Sequence, residues 1–287
     1  MNKKKNKTPM MLRLVSWLFP KVERISPWIA KRWFVSIFFT PLRYKMPPPE
    51  LDIINQASKY QIDYEGNKVQ VYEWGDGIPI LMVHGWMGRG AQFRKFIPAF
   101  NQAGFKVVSF DATGHGNSEG GKSHIMEFAG IVEKLASNYE FKMVIGHSIG
   151  GAASLHAILN QKFTNKLVMI GSPTIASKIV EEFMRRLNAS EKVTGYFYDY
   201  VKATFGKPFE EYSASYIIKD LKHVDLLIIH DEDDVEVTID NADVLLEKYP
   251  AAKFIKTQGM GHTRILKDES VIEACLSFAK GNIKAVA

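Results

Sequence analysis

"FKMVIGHSIGGAASLHA", residues 141–157, drives an apolar stretch into a serine hemmed by glycines and then resumes in small residues. The part "KMVI" shows no alternation of polar and apolar positions, as expected of a strand covered on both faces. Gly150, Gly151, Ala152 and Ala153 then open a helical stretch. Ser148 therefore stands where a buried strand hands over to a helix. Whether its hydroxyl does chemistry or merely packs depends on the chain around it.

Working outward, the same grammar recurs. Short, almost uniformly apolar runs lie at 78–85, 106–110, 142–146, 166–171, 226–230 and 252–257, with helical patterns between them. Two alternating runs, "QIDYEG" and "KVQVYEWG", flank Gly66–Asn67 and predict an antiparallel pair. Strands alternating with helices predict an α/β fold: a mostly parallel central sheet of about eight strands with helices on both faces. Residues 51–287 are expected to form that domain. Residues 174–224 interrupt the rhythm, carry nine aromatic residues from Phe183 to Tyr216, and predict a helical lid inserted at the ligand-binding edge of the sheet. Some of those aromatic residues are expected to line an apolar acyl pocket, unless they pack only the lid's own core.

Residues 1–50 form a separate basic, aromatic-rich helical arm. It holds eleven Lys and Arg against Glu23 and Glu50, a net +9, while the remainder carries 26 basic and 29 acidic residues, a net −3. A basic arm on a slightly acidic body argues against nucleic acid as a partner. "MMLRLVSWLF" has the cast of a signal peptide, yet Arg13 and Pro20 interrupt it and no small-residue cleavage site follows. Lys31 and Arg32 divide "WIAKRWFVSIFF", which is far short of the ~20 apolar residues of a membrane span. Apolar residues interleaved with cations fit helices lying in a bilayer interface, or helices packed on the body or at a dimer contact. The single cysteine, Cys275, excludes an intrachain disulfide and points to a core position in a reducing, cytoplasmic setting, with peripheral contact at the inner membrane face as an expectation.

The serine now reads as chemistry. "GHSIG" is G-x-S-x-G between a strand and a helix, the context that motif requires. Side chains at 146 and 150 would collide across so tight a turn, and Ile149 at the helix start offers its N–H to an oxyanion. A serine needs a base to remove its proton. His262, in "GMGHTRIL" after the last strand, is the best of eight histidines, with the chain order Ser…Asp…His. His84 and His115 read as turn-shaping, and His147 is expected to point away from the cleft. The orienting acid falls within "DEDDVEV", which offers Asp231, Glu232, Asp233, Asp234 and Glu236. No second ligand cluster accompanies that loop, so no metal is expected there.

With "HGW", "FDATGHGNSEG", "GHSIGG", "IIHDEDDVEV" and "GMGHT" in place, the chain resembles the α/β-hydrolase superfamily over nearly all of residues 60–280. The resemblance implies Ser148 as nucleophile, His262 as base and Asp234 as acid. Asp231 stands where the family pattern has glycine, and Asp233 precedes the acid, which keeps the choice within the loop open. Trp86, following His84–Gly85, matches the residue that supplies the second oxyanion N–H. The expected function is a serine hydrolase acting on a small-molecule carboxylic ester, with no cofactor. Thioester, C–C bond or lipid hydrolysis and acyl transfer use the same triad and stay open, as does a non-catalytic binding protein on the same fold. Oligomeric state is not legible.

Overall fold

The computed structural model describes residues 10–282, so Lys3, Lys4, Lys5 and Lys7 of the arm lie outside the described residues. The strands are β1 (Ser58–Tyr64), β2 (Asn67–Trp74), β3 (Ile78–Val83), β4 (Phe105–Phe110), β5 (Met143–His147), β6 (Lys166–Ile170), β7 (Asp225–Asp231) and β8 (Lys253–Thr257). The helices begin with α1 (Met10–Ile25), α2 (Pro27–Phe38), α3 (Pro48–Asn55), α4 (Phe96–Gln102), α5 (Ile125–Ala136) and α6 (Ile149–Gln161). They continue with α7 (Ala176–Leu187), α8 (Lys192–Phe205), α9 (Ala214–Ile217), α10 (Asp240–Lys248), α11 (Gly261–Arg264) and α12 (Glu269–Ala279).

The eight strands form one sheet in the order β1-β2-β4-β3-β5-β6-β7-β8. β2 pairs antiparallel with β1 and β4, and every other neighbouring pair is parallel. The expected α/β sheet is thus the observed one. The uniformly apolar strand runs have a simple cause. Leu81 and Val83 of β3 enter a core with α5 and α6, whereas Ile80 and Met82 enter a second core with α4 and α12. β5, β6 and β7 divide their residues between the same two cores. Each fully buried side chain of this size contributes about 1.5–3 kcal/mol, which favours apolar residues on both faces. Cys275 is fully buried in the second core, where burial pushes its thiol pKa up.

The chain divides into two compact units. One joins the segment ending at Phe39 to Ala176–Tyr212; the other joins Thr40–Ile175 to the segment starting at Ser213. These divisions differ from boundaries at 50, 174 and 224, for reasons visible in the contacts. Arg43 donates to the carbonyls of Gly114, Ser118 and Gly120, and Glu50 pairs with Arg89 and Arg94, which ties residues 43–50 to the sheet unit. Ala214, Ile218 and Leu221 belong to a sheet core. The helical unit is built on Phe19, Phe34, Phe39, Val180, Leu187 and Phe197. The Phe38 ring lies 4.5 Å from Phe197 and 5.0 Å from Phe183, so aromatic residues of arm and insertion interlock. The aromatic residues expected at an acyl pocket or in a lid core are, at Phe183, Phe197, Phe205 and Phe209, part of a core shared with the arm.

Candidate active site

The site residues follow the C-terminal ends of parallel strands β3, β5, β7 and β8, the edge where open α/β sheets bind ligands. Ser148 sits between β5 and α6 with φ 52° and ψ −130°, a strained conformation for a residue with a side chain. Its N–H is held by the carbonyl of Ile170 at 2.9 Å. The turn is closed tightly enough that a Cβ at Gly146 would enter the backbone of Gly150 and Gly151, and one at Gly150 would enter the carbonyls of Val83 and His84. Ile149 is the first residue of α6, so its N–H belongs to the unsatisfied first turn that favours negative charge.

The loop after β3 reaches the same serine. A Cβ at Gly85 would stand 3.0 Å from Ser148 Cβ, so glycine permits this approach and brings the following Trp86 next to the turn. His84 shapes that loop, as the sequence predicts, while His115 belongs to the loop after β4, where its Nδ1 donates to the Thr113 carbonyl at 2.9 Å. His84 Nε2 accepts from the Ala112 N–H at 2.9 Å, and its Nδ1 donates to the Gly85 carbonyl at 2.7 Å. Burial lowers the His84 pKa well below its ordinary value, which keeps this tautomer neutral. The Trp86 ring meets the His115 ring edge-on at 5.1 Å. Burial holds His115 down to about 4.

The acidic loop after β7 sorts its carboxylates by partner. His262 Nδ1 donates to Asp234 Oδ2 at 2.7 Å, leaving Nε2 as the ring's acceptor. The other oxygen of Asp234 accepts from the N–H groups of Glu236 and Val237, both at 2.9 Å. Burial works to raise the Asp234 pKa, and the hydrogen bonds from His262 and the two amides overcome it, keeping the carboxylate below its usual range. Asp231 instead accepts from Thr257 Oγ1 and from the N–H groups of Met260 and Gly261, bracing the loop that carries His262. Asp233 accepts from the Gly259 N–H at 3.0 Å. Of the five acids open on sequence grounds, Asp234 is the one bonded to the His262 ring.

His147 corrects the sequence expectation that it turns away from the cleft. Its Nε2 donates to the carbonyl of His262 at 2.9 Å, its Nδ1 accepts from Gln92 Nε2 at 3.0 Å, and its ring lies 4.7 Å from the His262 ring. Gln92 Oε1 in turn accepts from the Gly85 N–H at 3.3 Å. A hydrogen-bonded strap therefore links the Gly85–Trp86 loop to the backbone of His262. Burial drives the His147 pKa to about 3, so the strap has a fixed tautomer. Neither residue has a local signal in sequence, because the partners lie 55 and 115 positions apart.

The model of the Hydrolase_4 family, described as serine aminopeptidase, S33, matches residues 79–273. A pyrethroid hydrolase of Sphingobium wenxiniae is 30% identical over 78 residues, covering 26% of this chain and 28% of its own. A pimeloyl-acyl-carrier-protein methyl ester esterase of Vibrio atlanticus is 29% identical over 100 residues, covering 34% and 38%. The chain spans about a third of the length of these curated relatives. Among solved structures, an esterase from Exiguobacterium antarcticum superposes with a TM-score of 0.60 at 18% identity, over 78% of this chain and 98% of that one. At that identity the likeness is one of fold.

Proposed function

The chain belongs to the Hydrolase_4 family of α/β hydrolases, and from that premise we propose that it is a serine hydrolase cleaving carboxylic esters through an acyl-enzyme on Ser148. The observation that carries the reading is the strained Ser148 turn in one unit with the Asp234–His262 pair at 2.7 Å. Ser148 Oγ attacks the ester carbonyl while His262 Nε2 takes its proton. Asp234 keeps the His262 proton on Nδ1 and stabilises the imidazolium that forms. The N–H groups of Ile149 and Trp86 receive the oxyanion, each worth about 10²–10³ in rate for such a donor. His262 then protonates the leaving alcohol, and a water activated by the same Nε2 releases the acid. The chemistry asks for no cofactor. The Vibrio atlanticus relative, an ester esterase by its name, supports an ester as the bond cleaved.

A fluorophosphonate probe tests the nucleophile directly. The full chain should label, and Ser148→Ala should lose both labelling and hydrolysis of a panel of esters, by roughly 10⁶ in turnover for loss of a triad serine. An unchanged circular-dichroism melt would show that the loss is chemical. Labelling of the variant at the parent rate would overturn the assignment.

A further inference from the structure

The helical unit keeps one face of α1 and α2 for its own core and leaves another exposed. Inward go Phe19, Ala30, Phe34 and Val35. Outward, Leu14, Trp17, Leu18 and Ile25 recur at helical spacing along α1, joined by Trp28 and Ile29 at the start of α2. The exposure is large where it is most costly: 61% for Trp17, 84% for Ile25 and 66% for Trp28. Arg13, Lys21, Arg24 and Arg32 are exposed among them. Lys21 Nζ lies over the Trp17 ring at 2.9 Å, and the Arg32 guanidinium over Trp28 at 5.0 Å. The one acid between residues 13 and 32, Glu23, accepts from the N–H and hydroxyl of Ser190 and is engaged inside the unit. The exposed face is thus apolar and cationic only.

We propose that this face of α1 and α2 docks the protein on the anionic surface of a lipid bilayer, with the helices lying in the interface. Indole rings bracketed by Lys and Arg match that boundary, where the ring sits among headgroups and the cation meets lipid phosphate. Neither helix spans: they are 16 and 12 residues long, and no helix among the described residues is long and apolar enough to cross a membrane. A second copy of the chain is a poorer occupant, because the same face on a partner brings more cations and no free acid to pair with Lys21, Arg24 and Arg32.

The test is co-sedimentation of the full chain with phosphatidylcholine vesicles, with and without about a third phosphatidylglycerol, at low and high salt. The protein should bind the anionic vesicles, release as ionic strength rises, and leave the neutral ones largely unbound. Trp17→Ser/Ile25→Ser/Trp28→Ser, all exposed positions, should lower partitioning at least about ten-fold without moving the thermal melt. Lys21→Gln/Arg24→Gln should lower it about five-fold per cation and keeps the question answerable if the triple variant fails to fold. Absence of binding by the full chain, equal binding to neutral and anionic vesicles, or binding untouched by both variants would overturn the proposal. So would a dimer in sedimentation velocity that the same substitutions dissociate while vesicle binding is absent.

Discussion

The two units of this molecule are assembled on different principles. In the sheet unit, β3, β5, β6 and β7 are short runs whose apolarity follows from cover on both faces, and the loops after β3, β5, β7 and β8 supply the site residues. The Ser148 turn, the acidic loop and the His262 loop are each local in sequence and meet because parallel strands end at one edge. The helical unit has no such local logic. Phe34 and Phe38 of the arm interlock with Phe183 and Phe197 of an insertion that begins at Ala176, so half of its core is supplied from far along the chain. A sequence is self-explanatory wherever pattern and partner lie in the same segment.

In the sheet unit, chemistry and packing are separable by substitution. Asp234→Asn is expected to cost about 10⁴ in kcat by stabilising the wrong His262 tautomer, with the melt unchanged. Asp233→Asn should cost little, because Asp233 bonds a loop amide and not the His262 ring. Steady-state kinetics that reverse this ranking would move the acid within the loop.

In the helical unit the expected effects are on stability. Phe197→Ala, at a fully buried position, should destabilise by about 3–5 kcal/mol in denaturant unfolding. Phe34→Ala should be coupled to it, since the rings lie 5.7 Å apart. A double-mutant cycle should return at least about 0.5 kcal/mol. Strict additivity would mean that arm and insertion do not share a core.

A smaller effect concerns pH. His147 is held neutral with a pKa near 3, against about 6.5 unfolded. Between those values the unfolded chain binds the extra proton, so stability falls as pH falls from 6.5 toward 3. At pH 5 this one group should cost about 2 kcal/mol relative to pH 7.5, read as the difference in melting between the two. His147→Gln removes the titrating ring and should shrink that difference. An undiminished acid loss in the variant would assign the sensitivity to His84 and His115, whose pKa values burial also lowers.

The smallest effect should come from the strap. His147→Phe keeps a ring and loses both hydrogen bonds, and should lower kcat about ten-fold with little change in KM, as for a group that orients the base. Gln92→Leu should do the same, and the two together little more, because they act through one chain of bonds. A rise in KM with kcat intact would mean that the strap shapes substrate binding instead.

Local chemistry settled much of this protein before any contact was known. Unalternating strand runs, a serine between glycines at a strand end, and a glycine-flanked histidine after the last strand each express a constraint met by neighbours a few residues away. The parallel sheet and the identity of the residues at its edge follow from such constraints. The remaining features depend on partners distant in sequence. Five acids crowd one loop, and folding separates Asp234 from Asp233 by burial and from both Asp231 and Asp233 by the donor each meets. His147 looks like filler beside the serine until Gln92 and the His262 carbonyl close on it. The arm's apolar residues look alike until folding divides them, Phe19 and Phe34 into a core with Phe197, Trp17, Ile25 and Trp28 onto the surface. Burial is a property of the assembled chain, and a side chain carries no record of which face its helix will spend on folding.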